Sequence, residues 1–522
     1  MHDTHATPAA GFDSTTRTLL GIALLLVAYA GAALAGWPQH GRDLLVTAQA
    51  THQNAQVDGD HAAADGHATT TSPPAATVLP FCLLLAAIAI LPLAPGLSHW
   101  WEHNSSKLFV AGLLALVTLG YYTFLHRHPV DRHFPVHAVV APAAAGPSWG
   151  VAGAVLANAM LAEYVPFIVL LFALYVITGG VRIEGDLVAT PTVNATFLGI
   201  GALAASFIGT TGAAMLLVRP LLETNRERKH VAHTVVFFIF LVCNCGGCLL
   251  PIGDPPLFLG YLQGVPFLWT TSLWQPWLFT NGTILVVYWL WDTFYSHPRE
   301  AARDVARDVR QAGRLTIRGL WPNALLMAGV IAAVGLLDPA KPLPGTDWHP
   351  WVFLREAVLL ALVGASLWLG SRTVREKNGF TYGAILEVAA LFLGIFVCMQ
   401  PALTLLHEHG HSLGINTPRA FFWATGSLSS VLDNAPTYLV FFEAAGIDPG
   451  NGLDAAEARL LAGVSLGAVF LGAMTYIGNG PNFMVKAIAE QSGVKMPSFF
   501  GYVLYSVGVL LPVFAAMTFL FL

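Results

Sequence analysis

Two hydrophobic segments, one in each half of the chain, are interrupted by the same short pattern. That pair restricts the fold more than any other feature. The first reads Asn244-Cys-Gly-Gly-Cys-Leu-Leu-Pro-Ile-Gly-Asp-Pro-Pro-Leu-Phe258, the second Met474-Thr-Tyr-Ile-Gly-Asn-Gly-Pro-Asn-Phe483. Both contain Gly-Asp/Asn-x-Pro-x-Phe, at Gly253 to Phe258 and Gly478 to Phe483. An unpaired N–H or C=O costs several kcal/mol in lipid, so unwound backbone persists there only when buried in protein or lining a polar cavity. Glycine and proline at corresponding places in two halves point to a transporter's binding site.

Composition matters here because only 11% of the 522 residues are charged and 55% are hydrophobic, against roughly 25% charged in soluble domains. The expectation is an all-α polytopic membrane protein with about 11 spans of ~20 residues each. No nucleotide-binding P-loop is present, so transport would draw on an ion gradient. No basic surface suggests nucleic acid, and no catalytic constellation suggests an enzyme or a bound cofactor. The partners expected are small inorganic ions and the lipid bilayer. Cys82, Cys243, Cys245, Cys248 and Cys398 all fall in apolar segments. Cys243-x-Cys-x-x-Cys248 has the look of a metal or redox motif, but also of small apolar residues on a crowded helix.

The chain divides into residues 1–76, 77–294, 295–316 and 317–522. Residues 18–36 read as a retained helix, although Ala33-Leu-Ala-Gly36 also fits a signal-peptide cleavage site. Residues 37–76 read as a polar, disordered external loop whose run from Asp58 to His67 can hold divalent metal weakly. Basic clusters at 219–230, 295–316 and 372–377 should be cytoplasmic under the positive-inside rule. Residues 192–222 then enter from the cytoplasm and turn near Gly209-Thr-Thr-Gly212. Residues 418–445 enter from outside and turn near Leu432-Asp-Asn-Ala-Pro436. The result is two inverted-topology repeats, each with a re-entrant helical hairpin and a broken transmembrane helix, joined by the basic linker. The N-terminus is expected inside and the C-terminus outside a bacterial-type inner membrane.

Here the residues carry a resemblance. Leu428-Ser-Ser-Val-Leu-Asp-Asn-Ala-Pro-Thr-Tyr438 and the first break resemble the sodium/proton antiporter branch of the ion transporter superfamily, which also holds arsenite permeases, citrate carriers and dicarboxylate carriers. The resemblance covers the layout of residues 77–522. It implies two inverted repeats, alternating access and often a homodimer.

Four carboxylates fall within membrane segments: Glu163, Asp254, Glu387 and Asp433. A charge at mid-bilayer costs at least ~2.5–3.5 kcal/mol and usually serves function. Asp254 and Asp433 lie in the motifs and head the ion-binding candidates; all four are proton-coupling candidates. Thr210, Thr211, Asn434, Asn479 and Asn482 can add side-chain oxygens, and the unwound backbone at Gly253 and Gly478 can add carbonyls. A small hard cation prefers such an oxygen cage. Burial disfavours a bare carboxylate, so the site would hold Na⁺ (or Li⁺) or protons in competition. Asp254 and Asp433 can also serve as helix N-caps, and Glu163 and Glu387 as partners of neighbouring helices. His407 and His411 are candidates for an external divalent metal, or members of a solvated loop. Trp100, Trp101, Trp274 and Trp277 read as interface anchors. The rival readings are an arsenite permease, a citrate or dicarboxylate carrier, and a His-rich membrane metal sensor.

Overall fold

The structure, a computed structural model, describes residues 14–57, 73–94, 96–132, 134, 138–311, 313–449 and 452–522. It begins with α1 (Ser14–Leu34) and α2 (Trp37–Val57). α1 packs on a helix of the second half, and the Tyr29 hydroxyl donates to the Val352 carbonyl at 3.1 Å. α2 corrects the expectation of an unstructured loop over 37–76. Its Ala, Gln and Leu are good helix formers, and low hydrophobicity does not prevent a surface helix. The Asp58 to His67 run lies outside the described residues.

The first half continues through α3 (Leu79–Ile90), α4 (Ser98–Trp101), α5 (Asn104–Phe124) and α6 (Trp149–Ala157). A π-helical stretch, Asn158–Tyr164, joins α6 to α7 (Val165–Gly179). The hairpin arms α8 (Pro191–Ile208) and α9 (Thr210–Thr224) follow, then α10 (Ala232–Leu241), α11 (Pro255–Leu262) and α12 (Trp274–Trp291). The linker carries α13 (Ala302–Gln311). The second half holds α14 (Leu320–Leu336), α15 (Leu354–Leu369), α16 (Arg372–Lys377), α17 (Gly383–Cys398) and α18 (Gln400–His409), the last two bent by 46°. It ends with α19 (Pro418–Ser429), α20 (Asn434–Ala444), α21 (Ala455–Leu471), α22 (Gly480–Gln491) and α23 (Phe499–Phe521). Two antiparallel ladders are present, β1 (Val130–Arg132) with β2 (Ala138–Val140) and β3 (Arg182–Glu184) with β4 (Thr316–Arg318).

Both halves run hairpin, helix, break, short helix, and the same local signals start each hairpin. Thr190 caps α8 by accepting from Val193 N, and Thr417 caps α19 by accepting from Ala420 N; a proline follows each at the first helical position, where its missing N–H is harmless. The first hairpin turns at Gly209, whose φ of +79° is readily adopted only by glycine. The second turns over Ser430–Asp433. The halves then interlock: α9 packs on α22, and α20 packs on α11. The two breaks thus meet between the hairpin tips.

Among the described residues, six helices are long and apolar enough to cross a membrane, or seven if the bent α17–α18 pair is one span. The larger expected count also takes in the shorter apolar helices Ala75–Ile90, Ala232–Cys248 and Leu320–Leu336, while Pro191–Ile208, one of the six, is the arm α8 that was expected to be re-entrant. Two apolar cores flank the breaks. One includes Phe167, Phe392, Phe396 and Tyr438, the other Phe237, Tyr288, Phe470 and Tyr502.

Candidate functional site

The breaks are built by close backbone approach. A Cβ on Gly253 would collide with the Gly247 carbonyl and stand 3.0 Å from Ser206 Cα. One on Gly478 would lie 2.6 Å from the Gly472 carbonyl oxygen and 2.8 Å from that of Ser429. Gly247, Gly253 and Ser206 therefore have counterparts in Gly472, Gly478 and Ser429. The serines tie each hairpin to its own interrupted helix: Ser206 Oγ donates to the Gly246 carbonyl at 2.6 Å, Ser429 Oγ to that of Ala468 at 2.7 Å. Trp277, expected at the membrane interface, instead supports the first break by donating to the Gly246 carbonyl at 3.0 Å. Trp277 is half-buried there, and Trp101 is buried.

Asp254 and Asn479 precede α11 and α22 in extended conformation, at φ −141° and −152°. The Asp254 side chain makes no cap hydrogen bond to α11. It points instead to a centre shared by both halves. Its Oδ1 accepts from Thr210 Oγ1 at 2.8 Å and Asn479 Nδ2 at 3.2 Å, and its Oδ2 from Asn434 Nδ2 at 2.7 Å. Asp254 is 1% exposed, and among the described residues no Lys, Arg or His pairs with it. Backbone also reaches the site: Thr210 N donates to the Gly253 carbonyl at 2.8 Å.

Around this carboxylate the second-half amides form one network. Asn479 Nδ2 also donates to the Cys243 carbonyl at 3.0 Å. Asn482 Nδ2 donates to the carbonyls of Gly472 at 2.9 Å and Thr475 at 3.0 Å, and its Oδ1 accepts from Asn244 Nδ2 at 2.8 Å. Asn244, which begins the first break, joins the site although its only signal in the sequence is its place in that motif. The Oδ1 atoms of Asn244 and Asn434 are buried without a hydrogen-bond partner. Both side chains border Gly472, where a Cβ would lie 3.0 Å from Asn244 Oδ1 and 3.8 Å from Asn434 Nδ2. Buried oxygens of this kind are normally satisfied, so the pair offers two acceptor positions near Asp254. Thr211 lines a cavity of about 70 Å³ with Gly209, Thr210, Gly212, Gly253 and Pro255.

Of the other expected carboxylates, Asp433 stands beside this network, next to Asn434, without joining its hydrogen bonds, and Glu163 and Glu387 lie outside it. Asp433 Oδ1 accepts from Ala435 N at 3.1 Å and so caps α20; its side chain makes no hydrogen bond to Asp254. Glu163 is buried on the π-helical stretch, with Gln400 Nε2 at 3.4 Å. Glu387 pairs with the buried Lys107 Nζ of α5 at 2.6 Å. His407 Nδ1 lies 3.3 Å from Glu443 Oε2; the His411 side chain lies outside the described residues. Cys243, Cys245 and Cys248 are fully buried free thiols, packed as small apolar residues.

A scan against protein families matches residues 133–522, well over half of the chain, to the family described as "Putative citrate transport". No curated protein matches the chain. The match spans both breaks and both hairpins and agrees with the superfamily, though not specifically with the sodium/proton branch, that the motifs resemble. With its apolar helices and its broken-helix centre, the chain belongs to that citrate transport family and is a multi-pass membrane transporter.

Proposed function

We propose that the protein is a secondary active transporter that exchanges Na⁺, or Li⁺, for H⁺, with Asp254 holding either ion. The carrying observation is the Asp254 centre: one buried carboxylate gripped by donors from both halves, with two unpartnered amide oxygens beside it and, among the described residues, no basic side chain paired to it. A hard cation takes oxygen ligands, and a carboxylate in such surroundings binds a proton when no cation is there. The two breaks lie in repeats of inverted topology, and alternating access follows if the hairpin tips part on one side of Asp254 at a time. The same reading puts the basic linker in the cytoplasm of a bacterial-type cell, with Na⁺ and H⁺ moving across its inner membrane.

A second reading, a citrate or dicarboxylate carrier, is favoured by the family match. It is also favoured by helix starts. α9, α11, α20 and α22 begin at or beside the residues that grip Asp254, and helix N-termini attract carboxylates. Asp254 would then hold the coupling ion beside the anion.

Proteoliposomes with an imposed pH gradient separate these readings. Na⁺, Li⁺, K⁺ and citrate are added in turn to the parent protein and to Asp254→Asn. Exchange requires the gradient to collapse on Na⁺ or Li⁺ alone, and the collapse to vanish in the variant. Citrate-dependent proton movement with no response to cations alone replaces it with the second reading.

A further inference from the structure

Away from the helix breaks, three carboxylates from three distant stretches of chain come together on the side of the linker. Asp186 follows β3, Glu227 lies between α9 and α10, and Asp308 is on α13. One oxygen from each lies within 4.8 Å of the others. The cluster is not a solvated acidic face. Asp308 is 4% exposed, and so is the Glu227 side chain. Asp186 Oδ1, Glu227 Oε2 and Asp308 Oδ1 are each buried without a hydrogen-bond partner.

The cations nearby offset the group only in part. Arg228 is committed elsewhere: Nη1 donates to Asp292 Oδ2 at 2.9 Å, Nη2 to Asp292 Oδ1 at 2.5 Å, and Nε lies 3.6 Å from Glu300 Oε1. Arg226 lies 3.4 Å from Glu227 Oε1 and 3.9 Å from Glu223 Oε1, from an exposed position, and His297 stands close enough to Asp308 to act on its charge. The remaining anchors fix the geometry. Asp308 Oδ2 accepts from Ala189 N at 2.8 Å, and the Asp186 carbonyl accepts from Gly313 N at 2.6 Å. Burial, and next to it the charge of the other two carboxylates, raises the affinity of Asp186 for a proton; burial is also the main cause at Asp308. Buried like charges without partners are strongly unfavourable.

We propose that Asp186, Glu227 and Asp308 bind one hard divalent cation, Mg²⁺ or Ca²⁺, as a structural site. All-carboxylate ligation without His or Cys selects such ions over softer metals. The ion locks α13, in the linker, to the base of the first hairpin. That base is already tied by a reciprocal amide pair, Asn194 Nδ2 to Asn225 Oδ1 at 2.8 Å and Asn225 Nδ2 to Asn194 Oδ1 at 2.9 Å. The metal therefore joins the linker between the halves to the base of the first hairpin without touching Asp254.

The test uses the purified full chain in detergent, stripped with chelator, and Mn²⁺ as a spectroscopic stand-in followed by electron paramagnetic resonance. Thermal unfolding is recorded in parallel with Mg²⁺ and Ca²⁺ at matched ionic strength. The expected result is saturable binding of one Mn²⁺ per chain, competed by Mg²⁺ or Ca²⁺, with a rise in Tm. Asp308→Asn and Glu227→Gln should weaken Mn²⁺ by at least the roughly tenfold that loss of a mere outer-shell partner costs. In chelator, each of these variants should melt no lower than the parent, because repulsion is relieved; this separates a lost site from a lost fold. Asp254→Asn should leave Mn²⁺ binding intact. No stoichiometric Mn²⁺ in the parent, or equal affinity in parent and variants, overturns the proposal.

Discussion

Thr210→Val is the sharpest probe of the Asp254 centre. Valine keeps the shape of threonine and removes only the hydroxyl that Asp254 Oδ1 accepts from at 2.8 Å. Both residues are 1% exposed, so water does not readily replace the lost donor. A hydrogen bond to a charged group contributes about 1.5–3 kcal/mol. At 1.4 kcal/mol per factor of ten, that is roughly a 10- to 150-fold change. The hydroxyl supports the ionised carboxylate, which under the proposed exchange is the form that would hold a cation. Without it the carboxylate favours its proton, and the half-saturating cation concentration at fixed pH should rise by about that factor. Raising the pH should recover part of the loss, because the competing proton becomes scarce. The assay is initial-rate cation-dependent proton movement in proteoliposomes across a cation titration at two pH values. The backbone bond from Thr210 N to the Gly253 carbonyl is untouched, so expression and Tm should stay near the parent. A variant whose half-saturation stays within twofold of the parent at both pH values refutes the assignment of Asp254 as the coupled site.

Asp433→Asn should transport nearly as the parent does, because asparagine caps a helix as well as aspartate, while Asp433→Ala should lower stability by about 1 kcal/mol; chemical unfolding and transport rates check both. Gly478→Ala should cost about 1–3 kcal/mol or more by overpacking, since the added Cβ would meet two carbonyl oxygens at 2.6 and 2.8 Å, and a fall in Tm and yield would show it. Lys107→Met should destabilise by about 1–2 kcal/mol, well below the ~3–5 kcal/mol of a fully buried broken pair, because the Glu387 side chain is 45% exposed and solvent screens it. Its half-saturation for cation should be unchanged, and a large change would instead place Glu387 in ion coupling.

The breaks were legible from sequence because their causes are local. α11 begins at Pro255 directly after Asp254, and α22 begins at Gly480 after Asn479, as expected where Gly and Pro disrupt an apolar segment and a polar residue precedes the new helix. The first hairpin turn was legible for the same reason, since Gly209 supplies a backbone angle other residues avoid. Low hydrophobicity, by contrast, is a poor guide at 37–57, where a polar stretch with scattered Ala, Gln and Leu forms the helix α2. Broken spans were legible as breaks, not as bends: nothing local announces the 46° between α17 and α18 beyond Met399 and the proline at 401.

Where the chain interrupts its helices, and which residues of its apolar segments carry charge, can be read residue by residue, because a residue's backbone preference and its cost in lipid belong to that residue. That reading leaves the two motif aspartates equivalent. Packing distinguishes them, giving Asp254 donors that lie 44, 180 and 225 positions away along the chain while Asp433 turns back to cap its own helix. The pairing of Glu387 with Lys107 and the meeting of Asp186, Glu227 and Asp308 were decided in the same way. Contacts across such separations depend on how helices pack against one another, and no local pattern of residues encodes that packing.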